Sequence, residues 1–116
     1  MQVSRLEDAE RFYVRVLGLP VLRRWVRDDG SERSLWLDLG ADAFLAVEEV
    51  EPGAARPDTV PGWHCVALRI EREERDAWIA RLEAAGHRVE RQTEFTIYTR
   101  DPEGALVALS HHPAPR

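Results

Sequence analysis

The chain has 116 residues, 44% of them hydrophobic, and its twenty-one carboxylates against sixteen basic residues leave a net charge of −5. That is enough for one domain with a real core and too little for two independent ones. Every basic residue is arginine, interspersed with acids as in Glu71-Arg72-Glu73-Glu74-Arg75, so phosphate binding lacks its basic stripe and nucleic acid is not an expected partner.

The elements read in chain order as one plan used twice. A short strand over residues 2–4 leads into a helix over 7–16, where Ala9, Phe12, Tyr13 and Val16 recur at helical spacing as the buried stripe. Gly18 and Pro20 end that helix. Strands are expected over 21–27, 34–39 and 43–50, divided by the hairpin signal Asp28-Asp29-Gly30-Ser31 and the tight turn Gly40-Ala41-Asp42. The segment 51–62, EPGAARPDTVPG, holds three of the seven prolines and reads as a connector. A second unit over 63–116 then repeats the order: strand 63–70, helix 74–85, strands 87–92, 95–100 and 105–111, with the turn Asp101-Pro102-Glu103-Gly104 before the last.

Two alignments within the chain support the repeat. Gly18 and Gly86 fall at the same point of the two copies, and Ala43-Phe44-Leu45-Ala46-Val47 matches Ala105-Leu106-Val107-Ala108-Leu109. The expected fold class is α+β: two βαβββ units, 1–50 and 63–116, in a single domain with a shortened first strand. Equivalent halves can build a shared cleft, so the site is sought there. No apolar run approaches the ~20 residues needed to cross a bilayer, and MQVSRLEDAERFY has neither a basic n-region nor an apolar h-region. A soluble cytoplasmic protein with no membrane partner is the expectation.

The runs AERFYVRVLGL and FTIYTRDPEGALVAL resemble the vicinal oxygen chelate superfamily of glyoxalase I, extradiol dioxygenases, fosfomycin-resistance thiol transferases and bleomycin-resistance proteins. The resemblance spans nearly the whole chain and implies two βαβββ units, each forming half of an open barrel around a cleft, often completed by a second chain. It also implies, for the metal-dependent members, a His in the first strand of each unit and a carboxylate or other ligand in the last. This chain departs from that pattern. The first-strand position of the first unit falls before Met1, and Cys65 takes the corresponding place in the second, with His64 one residue earlier on the opposite face. The DPEG turn and the repeat put Ala108 and Ala46 at the carboxylate positions, and alanine has no donor atom.

Other polar groups each admit two readings. Glu48 shares a strand face with Ala46 and is either a displaced ligand or general base, or, with Glu49 and Glu51, the solvated end of a strand. His111 and His112 are a displaced metal pair or an exposed pair beside the tail. Tyr98 and Thr96 offer hydroxyls or simply pack, and Arg69, alternating with Cys65 and Ala67, faces the cleft to bind an anion or joins a structural ion pair. Trp78 is expected in the core with Leu82. Trp25, Trp36 and Trp63, on strands, line the cleft with flat walls or pack between elements. The departures favour a metal-independent protein of the bleomycin-resistance type, without cofactor, binding a planar or cationic natural product as a homodimer. The expected ligand contacts are Trp36, Trp63, Cys65, Arg69, Tyr98 and Glu48. The alternative is a glyoxalase- or dioxygenase-like enzyme with displaced metal ligands.

Overall fold

Alternation along the strands of the first unit sorts its side chains onto two faces. A computed structural model describes residues 1–51 and 65–112, in two units, Met1–Pro57 and Asp58–Arg116. The first contains β1 (Gln2–Val3), helix α1 over Leu6–Glu10 prolonged by a π-helical stretch over Arg11–Val16, and strands β2 (Val21–Val26), β3 (Glu32–Gly40) and β4 (Ala43–Glu49). Its sheet has the order β1-β4-β3-β2, with β1 parallel to β4 and the other neighbours antiparallel. Val3, Leu35, Leu37, Leu45 and Val47 are buried together with Leu6, Ala9, Phe12, Tyr13 and Leu17 of the helical segment, and these form the core. Period-2 alternation sends Ser34, Trp36, Asp38, Phe44, Ala46 and Glu48 to the other face.

One feature of the helix departs from expectation. Val16 is only half-buried, and Leu17 takes its place in the core. The cause is the π-helical stretch, where the Leu17 N–H donates to the Phe12 carbonyl five residues back at 2.9 Å. The wider turn rotates later side chains past the 3.6-residue stripe. Gly18 then follows at φ +79, and Gly86 holds the equivalent place after the second helix at φ +87, left-handed conformations that end both helices.

The second unit repeats the order. Strand β5 (Val66–Arg69) is followed by a 3-10 turn at Arg72–Glu74, helix α2 (Arg75–Ala84), and strands β6 (Arg91–Gln92), β7 (Thr96–Arg100) and β8 (Leu106–Ser110). Its sheet runs β5-β8-β7-β6, with β5 parallel to β8. A reciprocal capping box between Glu71 and Glu74 starts the helical segment. Ile70, Leu82, Ile97, Thr99, Val107 and Leu109 are buried as its core.

The second unit differs from expectation at three places. The strand expected over 87–92 shrinks to Arg91–Gln92, because residues 87–90 are held by side chains as well as by a ladder: Thr99 Oγ1 donates to the Arg88 carbonyl at 2.9 Å, and His87 Nδ1 lies 3.1 Å from the Arg100 carbonyl. Trp78 is half-buried at the margin of α2, with the Arg81 guanidinium carbon 5.2 Å from its ring centroid, and Leu82 alone is fully buried on that helix. His111 is buried at 6% exposure, since it continues the core-facing parity of Val107 and Leu109, whereas His112 is exposed.

Candidate functional site

The open face of the first sheet carries an aromatic run. Trp36 is stacked on Phe44 with ring centroids 4.5 Å apart and 19° between planes, and Trp25 meets Trp36 at 5.5 Å with a tilt of 59°. Register explains the grouping, because Trp36 lies opposite Ala46 on β4 and opposite Arg23 on β2, which brings the flanking Phe44 and Trp25 within diagonal reach. Phe44 is 46% exposed, unusual for a large apolar side chain. Arg23 places its guanidinium carbon 3.8 Å from the Trp25 ring centroid, a cation–π contact. The Trp25 Nε1 donor is buried and has no acceptor among the described residues. Glu48 is exposed on this face, while Asp38 Oδ1 accepts the Gly40 N–H at 2.8 Å. The Met1 ammonium donates to the Ala46 carbonyl at 2.8 Å; burial pushes its pKa down, against the upward pull of Glu48.

The open face of the second sheet has the same layout with different side chains. Tyr98 lies opposite Ala108 on β8 and opposite Arg91 on β6, and the Arg91 guanidinium carbon stands 4.2 Å from its ring centroid. Thr96 and Ser110 hydroxyls meet at 2.9 Å. Ala67 pairs with Ala108 and Arg69 with Ser110, so the parity of Cys65, Ala67 and Arg69 is that of this face. Arg69 is mostly exposed and reaches Glu71 only at 3.9 Å; Cys65 is a half-buried free thiol. Trp63 and His64 lie outside the described residues.

Of the residues singled out in the sequence, Trp36 and Glu48 thus share the first open face, and Tyr98 and Arg69 the second. Sequence reading passed over Arg23, Phe44 and Arg91. Phe44 shares parity with Ala46 and Glu48 along one strand, a signal that was present; the two arginines require the cross-strand register. Apart from these faces, a cavity of about 540 Å³ in the second unit is lined by Arg72, Arg75, Asp76, Glu94 and His111 among others. Its central guanidinium is already engaged, since Arg75 donates to the carbonyls of Thr93 and Glu94 at 2.6 and 3.0 Å and lies 3.3 Å from His111 Nε2.

The family described as Glyoxalase/Bleomycin resistance protein/Dioxygenase superfamily matches residues 1–109. The chain belongs to this superfamily. Among solved structures it is similar to a glyoxalase family protein from Enterococcus faecalis, at 28% identity and a TM-score of 0.73, covering 94% of this chain and 90% of that one. It also resembles the trypanothione-dependent glyoxalase I of Leishmania major, at 19% identity and TM-score 0.75, with 95% and 81% of the two chains covered. The fosfomycin resistance protein FosX of Listeria monocytogenes, in complex with Mn(II) and a dihydroxypropylphosphonic acid, matches at 18% identity and TM-score 0.77 over 98% of this chain and 89% of that one. No curated protein matches the chain.

The metal used by such superfamily members does not fit the residues present. Ala46 and Ala108 occupy equivalent register positions on the two open faces, and neither can donate to a cation. Among the described residues no group of three His, Cys, Asp or Glu side chains is placed to hold a metal ion.

Proposed function

We propose that this superfamily member is a metal-independent binding protein for a small planar or cationic natural product. The observation that supports it is the Trp25–Trp36–Phe44 run beside donorless Ala46, an apolar aromatic surface where a metal enzyme needs a ligand carboxylate. Aromatic walls favour planar ligands by offset stacking worth about 0.5–1.5 kcal/mol per ring pair beyond area burial. Trp36 and Glu48 are the proposed contacts on the first unit, and Cys65, Arg69 and Tyr98 on the second, with Trp63 completing the set. A cytoplasmic homodimer belongs to the same reading: β2 is an edge strand of its sheet, and its Leu22 and Val26 are 55% and 60% exposed. Sedimentation showing a monomer at micromolar concentration would remove the dimer.

The second reading, a metal-dependent enzyme with displaced ligands, is favoured by the Mn(II) complex of the structurally similar FosX. Metal content of untagged, freshly purified protein separates the two. Trace metal, together with tryptophan quenching by planar compounds, supports the binding protein; stoichiometric iron, manganese, zinc, nickel or cobalt overturns it.

A further inference from the structure

Both open faces carry a cation that meets no carboxylate among the described residues. On and beside β2, Arg24 is paired with Glu10 and Glu32, and Arg27 meets Glu49 at 3.0 Å. Arg23 meets no carboxylate among the described residues; its contact is the Trp25 ring. Arg91 on β6 repeats this condition, stacked on Tyr98 with no ion pair among the described residues. The two arginines are also equivalent by register. Arg23 lies opposite Trp36 and Trp36 opposite Ala46; Arg91 lies opposite Tyr98 and Tyr98 opposite Ala108.

Each sheet therefore presents an arginine, an aromatic ring and an alanine in one row. A guanidinium held against a ring loses conformational freedom while its N–H donors remain available to a planar oxyanion. The adjoining alanine presents no carboxylate that would repel an anion; Ala46 is half-buried beside Trp36, and Ala108 is buried at 3% exposure. Of the nearby acids, Asp38 accepts the Gly40 N–H through Oδ1 and keeps its charge, one strand from Arg23. Glu48 sits two strands from Arg23, about 10 Å at ordinary strand spacing and so near one Debye length.

Resting on the small-molecule reading above, we propose that these rows receive a planar aromatic acid, its ring against Trp36 or Tyr98 and its carboxylate in the fork of Arg23 or Arg91. The ligand is thus anionic, not cationic. Titration calorimetry at low salt with 2-naphthoate, 2-naphthamide and 2-naphthylmethylammonium tests this, using the wild type, R23Q, R91Q and the double variant. The acid should bind about tenfold more tightly than the amide or the cation. The double variant should lose that preference while its circular dichroism stays unchanged. A46E, which places a carboxylate beside the ring, should weaken naphthoate more than naphthamide. Equal binding of acid and amide would leave the binding-protein reading standing and overturn this one, as would the tightest binding by the cation or a preference that survives in the double variant. Failure of all three probes to bind at millimolar concentration overturns both.

Discussion

Glu49 ties three elements of the first unit together, and removing it should be costly for a residue at the end of a strand. Its Oε2 accepts the Leu6 N–H at 2.9 Å, and its Oε1 accepts from Arg27 Nη2 at 3.0 Å, while its backbone pairs with Val3 of β1. The N-cap of α1, Arg5, makes no side-chain cap bond, so Glu49 serves as a cap supplied from β4. A lost cap costs about 1 kcal/mol, the carboxylate at a helix start contributes about 0.5 kcal/mol, and the partly exposed Arg27 pair about 0.5 kcal/mol. Glu49→Ala should therefore destabilise by about 2 kcal/mol, and Glu49→Gln, which keeps an acceptor oxygen, by about 1 kcal/mol. The Leu6 N–H bond, helped by Arg27, holds the Glu49 carboxyl below its ordinary pKa. Folded protein thus binds this proton less readily than unfolded chain. The stabilisation is complete above the unfolded pKa and is lost as pH falls through the folded one. Urea unfolding at neutral pH and at successively lower pH measures both effects, and the gap between wild type and E49Q should close on the acid side. Parallel pH profiles, or a neutral-pH midpoint for E49A equal to that of wild type, would refute the capping argument.

Three further outcomes concern the backbone and the thiol. Ala41 and Asp42 hold the β3–β4 turn at φ 51 and 66, left-handed values that suit Asn better than Ala; Ala41→Asn should stabilise by about 0.5–1 kcal/mol in urea titration, and no gain would mean the turn relaxes without strain. Gly86→Ala should cost about 1–2 kcal/mol from backbone strain alone, because an added Cβ would meet nothing within 4 Å; a neutral result by thermal melt would count against the left-handed helix end. Cys65→Ser should leave both the unfolding midpoint and aromatic-ligand affinity nearly unchanged, since the thiol is half-buried and belongs to no metal-ligand group among the described residues; a large loss in calorimetry would give the thiol a role in the site.

Legibility in the sequence followed from how local each signal is. Leu35 and Leu37, like Leu45 and Val47, declare the buried face by simple alternation, and the repeat anchored by Gly18 and Gly86 fixed the order of elements. The π-helical turn was not legible, because Phe12, Tyr13 and Val16 satisfy a 3.6-residue period and only the Leu17-to-Phe12 hydrogen bond shows that the helix widens. Residues 87–90 have strand-like composition, but a ladder needs a partner, and here part of that role falls to Thr99 and His87 side chains. His111 was readable in principle, since its parity follows Val107 and Leu109, yet its neighbour His112 and the prolines beyond suggested an exposed pair. The aromatic surface was legible only in pieces. Trp36 could be named as a candidate, but its contacts with Phe44 and Trp25 depend on cross-strand register, and so do the places of Arg23 and Arg91.

Glu48 discriminates between the readings of the first face. It is exposed, lies beside Gln2 and Ser34 in the register, and occupies the position that Ser110 holds in the second unit. A displaced-metal enzyme would need it as a ligand or general base, so Glu48→Gln would abolish metal retention or turnover. For an aromatic acid held by Arg23, the same carboxylate is a weak repulsive charge and no longer the ligand contact that the broader binding-protein reading makes it. At about 10 Å in a water-like dielectric its repulsion is about 0.4 kcal/mol, so E48Q should raise naphthoate affinity about twofold at low salt and have no effect at high salt. Naphthamide should bind E48Q and wild type alike, and stability should change by less than about 0.5 kcal/mol, as expected for an exposed surface substitution. A loss of naphthoate affinity on E48Q would mean that Glu48 contributes to holding the ligand, which a purely electrostatic role for Arg23 does not allow.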